Sequence, residues 1–323
     1  MTTTTRAVRW AGLTRPDWRA AVVYIGFALV FGFFAVTQTE HFLTGTNITN
    51  IVVQAAPITV MAMGAVFVLA IGEIDLSIGS TVAVAALASA MSIDATGLWW
   101  VGALVGVGTG LAAGAVNGLF ITVVRLPAFL VTLATMGLLT GLARQLTDLQ
   151  SVPVTDPTFT AVFGNGKVLG VPVFVWWTVA ATVIAWHVLR QRTFGAHALA
   201  VGDRTESARV SGLKVNRIRM AVFMASGATA ALAGVLYTGR LRGAKYTLGE
   251  SDLMTVLAAV IVGGTALNGG KASVVGALVG SLLMSMINNG LILAGLDVTG
   301  QMIVRGLIIL AAVSLSLRGK KND

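Results

Sequence analysis

The chain of 323 residues has no cysteine, three histidines, three tyrosines and only 13 acidic residues. Without cysteine there are no disulfides, no thiolate catalysis and no cysteine-ligated metal, and the redox compartment leaves no trace. His41, His187 and His197 are scattered, with no spacing that places two on one helix face, so no metal ligands are assigned. A Gly-x-Ser-x-Gly nucleophile elbow is missing too. With neither a nucleophile–base set nor metal ligands, no catalytic residue is assigned and a membrane enzyme is disfavoured. The largest deficit is charge. Charged residues make up 11% of the chain, against about 25% in a typical soluble domain. Hydrophobic residues make up 56%, and mean hydropathy is +0.85. So apolar a chain cannot cover its own surface with polar groups, and it reads as an integral membrane protein.

A membrane helix needs about 20 mainly apolar residues. Runs of low charge place ten spans at 20–39, 51–72, 76–93, 97–120, 126–143, 168–189, 220–239, 253–270, 272–293 and 298–317. The run after the basic N-terminus is full length and lacks a small-x-small cleavage site, so it is expected to stay as the first helix. Residues 97–120 and 272–293 are rich in Gly and Ala and are expected to pack inside the bundle.

Positive charge is clustered. Four arginines lie in 1–19, seven Lys or Arg in 190–219, and three in the tail, Arg318, Lys320 and Lys321. Lys and Arg concentrate in cytoplasmic loops. All three segments are therefore expected inside, and six and four intervening spans satisfy that orientation. This bias explains most of the net charge of +9, so no nucleic-acid partner is inferred. The expected organisation is a cytoplasmic N-terminal segment 1–19, a transmembrane domain 20–317 with a cytoplasmic loop at 190–219, and a cytoplasmic tail 318–323. The longest outer loop is 144–167, with two prolines and a Gly-Asn-Gly turn.

Against this background the stretch IGEIDLSIGS at 71–80 stands out. Neither Phe42–Gly72 nor Leu76–Ile93 carries a charge, yet Glu73 and Asp75 lie between them. The pair reads as a break, with Asp75 placed to cap the helix that follows. A contact to a partner, a gate, or a proton site are the functional alternatives, although no further mid-membrane acids complete a relay. LSIGSTVA at 76–83 and SVVGALVG at 273–280 match, Gly79 with Gly276, as expected for two repeated halves. The GGTALNGGKAS stretch at 263–273 is not a phosphate loop: Thr265 and Ala272 stand where Gly and Ser/Thr are required. Any nucleotide must bind elsewhere.

Within the 190–219 loop, Arg204–Ser211 has helical character, with Asp203 as N-cap, Glu206 three residues on and Gly212 at its end. GDRTESARVSG, with Glu206, Ala208 and Gly212, resembles the EAA-type loop of ABC importer permeases. GEIDLSIGS, including Glu73, Asp75, Ser77 and Gly79, resembles the signature of the ribose/xylose/galactose branch of those permeases. The stretches 114–143 and 256–291 agree with that branch. The resemblance, over about 45–315, implies an all-α permease of about ten helices in two pseudo-repeated halves, with broken helices and a short cytoplasmic coupling helix. It implies that the chain works in the bacterial plasma (inner) membrane as a dimer, of identical or paralogous copies. It further implies a cytoplasmic ATPase that holds ATP and Mg, docked around Asp203, Glu206, Ala208, Arg209 and Gly212, and an extracytoplasmic sugar-binding protein. This chain itself would hold no cofactor.

Polar uncharged residues inside spans, Gln54, Asn117, Asn288 and Asn289, are candidates for a sugar path, with Phe129 and Met286 lining it. Interhelical hydrogen bonding is the alternative for each. Arg305 lies inside the last span, where snorkelling or pairing is expected. Arg240, Arg242 and Lys245 run against the charge bias of an outer loop and are expected to meet acidic patches on the binding protein. A proton-coupled transporter, or a permease of the same family for autoinducer or branched-chain amino acid, stand as alternatives.

Overall fold

The structure, a computed structural model, describes residues 18–310 except 298, 305 and 309, and side chains from residue 23 on. The basic N-terminal segment as far as residue 17, Arg305 and the C-terminal tail lie outside the described residues. The described residues are mostly helical: α1 Trp18–Thr37, α2 Thr39–Phe42, α3 Gly45–Ala70, α4 Ile78–Thr96, α5 Trp99–Thr122, α6 Ala128–Thr147, α7 Pro157–Phe163, α8 Val173–Gln191, α9 Thr193–Asp203, α10 Thr205–Val210, α11 Val215–Leu241, α12 Asp252–Val262 and α13 Val274–Leu293. Helical backbone resumes at 299. Among the described residues, seven helices are long and apolar enough to cross a membrane: α3, α4, α5, α6, α8, α11 and α13. Two further apolar stretches, Val23–Thr37 and Asp252–Val262, are shorter.

Helix α3 is the axis of the bundle. Thr44 opens it, its hydroxyl accepting from the Asn47 amide at 3.2 Å. From Ala55 to Ile71 every residue is buried. A helix apolar all round belongs in the middle of a bundle, and α8, α11, α12 and α13 pack around it. A second cluster joins Phe34 and Phe42 of α1 and α2 to Ala258, Met284 and Met286 of α12 and α13.

The most extensive helix pairing, α5 against α11, rests on a glycine repeat. Gly102, Gly106, Gly110, Gly114 and Gly118 recur at every fourth position, one face of a helix. A side chain at Gly110 would collide with the Gly227 carbonyl, and one at Gly114 with the Phe223 carbonyl. Bare backbone lets the helices approach closely. The opposite face of α5 stays exposed, with Leu104, Val116 and Leu119 outward. The expectation of a fully internal helix thus holds for one face only.

One expected span changes. The 253–270 stretch is helical only to Val262, and eleven residues rise about 16 Å, too short for a bilayer core of about 30 Å. Gly264, Gly269 and Gly270 adopt positive φ of 91°, 80° and 77° and turn the chain away. The stretch 263–273 is therefore a second break, apolar enough to pass for helix in the sequence. At the other end of the bundle, β1 (Val152–Pro153) pairs antiparallel with β4 (Gly243–Ala244), tying the loops after α6 and α11 together. A small hairpin, β2 (Lys167–Val168) with β3 (Val171–Pro172), completes this surface.

Gly110→Leu is expected to push α5 off α11 and destabilise the protein by about 1–3 kcal/mol. Gly108→Ala, on the same helix with open space around it, should be neutral or slightly stabilising. Thermal unfolding of the two variants in detergent decides it.

Candidate functional site

The break at 71–77 is held by a buried carboxylate. Asp75 is 3% exposed. Its Oδ1 accepts from the Ser77 amide at 2.9 Å and the Ser77 hydroxyl at 2.6 Å. Its Oδ2 accepts from the Ser226 hydroxyl at 2.8 Å, three turns into α11. The chain of bonds continues: Asn117 Nδ2 of α5 donates to the Ser77 hydroxyl at 2.9 Å, and Thr135 of α6 donates to Asn117 Oδ1 at 2.7 Å. One acid thus gathers the start of α4 with α5, α6 and α11. Every partner of the carboxylate is a neutral donor, which is how a buried acceptor is satisfied without a cation.

The expected capping role shifts by two residues. Ser77, not Asp75, stands at the N-cap of α4 and gives no side-chain cap bond there. Asp75 instead captures the Ser77 amide and reaches across to α11. Gly79, one residue into α4, lies against the Gly249 carbonyl, where a Cβ would come within 2.5 Å. Gly276 repeats the arrangement in α13, where a Cβ would overlap the Gly263 carbonyl. There Ser273 does cap, accepting from Gly276 N at 3.0 Å.

Glu73 takes a separate path. It pairs with Arg219 of α11 at 2.9 Å. Burial pushes its carboxyl above the ordinary range, and the Arg219 charge opposes that shift.

The two breaks meet. The Gly270 amide donates to the Ala70 carbonyl, the last of α3, at 3.0 Å. Gly202, near the end of α9, fits between them, and a Cβ there would overlap the Ala70 carbonyl and crowd the Gly270 nitrogen. A Cβ at Gly269 would in turn come within 2.6 Å of the Gly202 carbonyl. At Gly202 the 190–219 loop therefore touches the edges of both interruptions backbone to backbone.

That loop holds two helices where one was expected. Asp203 ends α9 rather than capping α10, and Arg204 stands at the N-cap of α10 without a side-chain cap. Glu206 and Arg209 pair with each other at 2.8 Å on the exposed face, Ala208 is buried, and Val210 is 88% exposed. Gly212 closes the turn at φ 85°, its amide on the Arg209 carbonyl at 3.0 Å.

The amides proposed for a path separate. Asn117 belongs to the Asp75 network. Asn289 is buried in a reciprocal pair with Asn47, at 2.9 and 3.1 Å, joining α13 to the start of α3. Asn288 and Gln54 are half-buried on α13 and α3. Phe129 faces out of the bundle at 51% exposure, and Met286 is buried in the second apolar cluster. None of these residues lines the cavity of about 880 Å³ at the start of α11 or that of about 250 Å³ beside Arg242. Arg242 caps α11 in the left-handed conformation at φ 54° and bounds a cavity of about 250 Å³ with Val154 and Thr160. Lys245 is exposed beside it, and Arg240 is half-buried. Ser226, Thr135 and Asn47 escaped sequence reasoning, because a single hydroxyl or amide in an apolar run carries no pattern.

A bundle of apolar, membrane-length helices interrupted by polar breaks defines a multi-pass membrane protein. Residues 47–313 match the family model described as branched-chain amino acid transport system / permease component. The chain belongs to this family of transport permeases. It is 37% identical over 279 residues to the ribose import permease protein RbsC of Haemophilus influenzae, covering 84% of this chain and 85% of that protein. It is 38% identical over 277 residues to RbsC of Bacillus subtilis, covering 85% of each. Identity to the L-arabinose transport system permease protein AraH of Escherichia coli is 32% over 296 residues, 92% of this chain and 90% of that protein. No solved structure matches the chain significantly.

Asp75→Ala leaves three buried donors without an acceptor and is expected to destabilise the protein by at least about 2 kcal/mol. Glu73→Gln, in a more exposed ion pair, should lose about 1 kcal/mol or less. If thermal unfolding ranks the two the other way round, the carboxylate network does not organise the break.

Proposed function

We propose that this chain is the membrane-spanning subunit of an ATP-driven importer for a monosaccharide or related polyol. The observation that carries the reading is the set of sugar permeases, for ribose and L-arabinose, that match it over more than four fifths of its length. In this reading a loaded binding protein docks on the surface formed by the 144–167 and 240–252 loops, where Arg240, Arg242 and Lys245 meet its acidic patches. A cytoplasmic ATPase, holding ATP and Mg, docks on α9 and α10. This chain hydrolyses nothing and holds no cofactor. Two copies, identical or paralogous, enclose the path, each with about ten spans in two pseudo-repeated halves. Both termini lie in the cytoplasm of a bacterial cell, and the chain sits in its plasma membrane.

Physical support comes from three features. The exposed ion pair Glu206–Arg209 and the protruding Val210 give α10 a polar and an apolar contact for a partner. Gly202 joins that segment to both breaks, so a displacement of α9 acts on α3 and on the 263–273 stretch together. The similar seating of Gly79 and Gly276 at the starts of α4 and α13 supports the repeated halves. A proton-coupled mechanism finds less support: the bonded neighbours of Asp75 are hydroxyls and amides, with no second carboxylate among the described residues of its network. The family description names branched-chain amino acids, yet the similar proteins named above transport sugars, and the sugar reading is preferred.

Co-purification tests the proposal. Wild-type protein in mild detergent should bring down an ATPase, and Glu206→Arg with Gly212→Trp should lose it while remaining folded and monodisperse. Uptake that persists without ATP, with no ATPase ever bound to the wild type, contradicts the reading.

A further inference from the structure

At the end of the bundle where α5 finishes and α6 and α11 begin, a cavity of about 880 Å³ opens beside the Glu73–Arg219 pair. Its charge is lopsided. Arg125, Arg209, Lys214, Arg217 and Arg219 line it, against the single carboxylate of Glu73. Arg209 is paired with Glu206, and Arg219 with Glu73. Among the described residues, Arg125, Lys214 and Arg217 have no carboxylate within ion-pair distance. Arg219, which lines the cavity, also leaves its buried Nε without a hydrogen-bond partner.

Two helix starts add to this field. Pro127 and Lys214 are the N-cap residues of α6 and α11, both line the cavity, and neither supplies a side-chain cap. Helix starts carry partial positive charge and free amides, and α11 is 27 residues long. Three unpaired cations and two helix starts without side-chain caps converge on one concave space. Such a set fits a compact anion with several acceptor oxygens, and phosphate is that chemistry.

The setting favours one source of phosphate. Leu126 is part of the wall, and beside it Val123, Val124, Phe129 and Leu130 are 51–66% exposed, an apolar strip continuing up α6. Acyl chains would lie on that strip while the headgroup enters the basic cavity. Basic pockets between membrane helices at the cytoplasmic surface suit anionic headgroups. We propose that this cavity is a binding site for the phosphate headgroup of an anionic phospholipid. The site wedges the α5–α6 turn against the start of α11, the helix that carries Arg219 and Ser226. The proposal needs only a membrane protein, and it stands whether or not the import reading does.

The full-length protein in mild detergent is titrated with dioleoyl-phosphatidylglycerol, with dioleoyl-phosphatidylcholine and with inorganic phosphate, and binding is read by native mass spectrometry. Wild type should retain one phosphatidylglycerol with a preference over phosphatidylcholine of about tenfold or more. Arg125→Gln with Lys214→Gln and Arg217→Gln should bring the two lipids to parity. The single Arg125→Gln, in the turn between α5 and α6, should lower the preference with an unchanged melting temperature, separating loss of the site from loss of fold. Equal binding of the two lipids by wild type overturns the proposal. So does a preference that survives the triple substitution. Saturation by inorganic phosphate that phosphatidylglycerol does not displace assigns the site to a soluble anion and overturns the lipid source. If no anion binds and an ATPase subunit alone protects these cations, the cavity belongs to a protein interface and the proposal falls.

Discussion

A helix that stops inside a membrane bundle exposes backbone amides and carbonyls that no water reaches, and every one of them must be paired within the protein. That constraint governs the two breaks of this chain. At 71–77 the solution is a carboxylate: Asp75 takes the Ser77 amide and hydroxyl on one oxygen and the Ser226 hydroxyl on the other. At 263–273 it is backbone together with hydroxyls: the Gly270 amide donates to the last carbonyl of α3, and the Ser273 hydroxyl accepts from the first turn of α13. Because the second break satisfies the end of α3, the two are not independent. Moving one exposes polar groups of the other.

Close backbone packing carries the same logic outward. Gly202 brings α9 onto both breaks, and the glycine face of α5 lies on α11, which holds Ser226 and Arg219. These contacts leave no space for a methyl group, so displacements pass from one helix to the next with little slack. The polar segment α9–α10 is therefore seated on the interior of the bundle and not merely attached to it. A transporter driven from one side needs such a link between a surface and a path.

Much of this was legible in the sequence, because the signals are strong where composition changes sharply. Long charge-free runs located most spans, and two acids between such runs marked the first break. The end of the short helix α10 at Gly212 followed from its need for positive φ. What was not legible has physical reasons. The second break has no charge at all, and Ala266 and Leu267 keep its hydropathy high, so it passed for the end of a span. Asp203 looked like a cap because cap chemistry is local, but tertiary packing of Gly202 extended α9 through it. The network around Asp75 is built from isolated serines, an asparagine and a threonine, which acquire meaning only when α4, α5, α6 and α11 are brought together. The grouping of Gln54, Asn117, Asn288 and Asn289 as a single polar set rested on residue type alone, and the fold distributes them over different faces.

The central claim is that α9 acts on both breaks through Gly202. Gly202→Ala, assembled in proteoliposomes with the ATPase proposed to partner this chain, tests it most directly when uptake and ATP hydrolysis are measured side by side. The account predicts an assembled complex that still hydrolyses ATP but has lost most of its uptake, because the added methyl group holds α9 off Ala70 and Gly270. Uptake and hydrolysis that both stay at wild-type levels would contradict it.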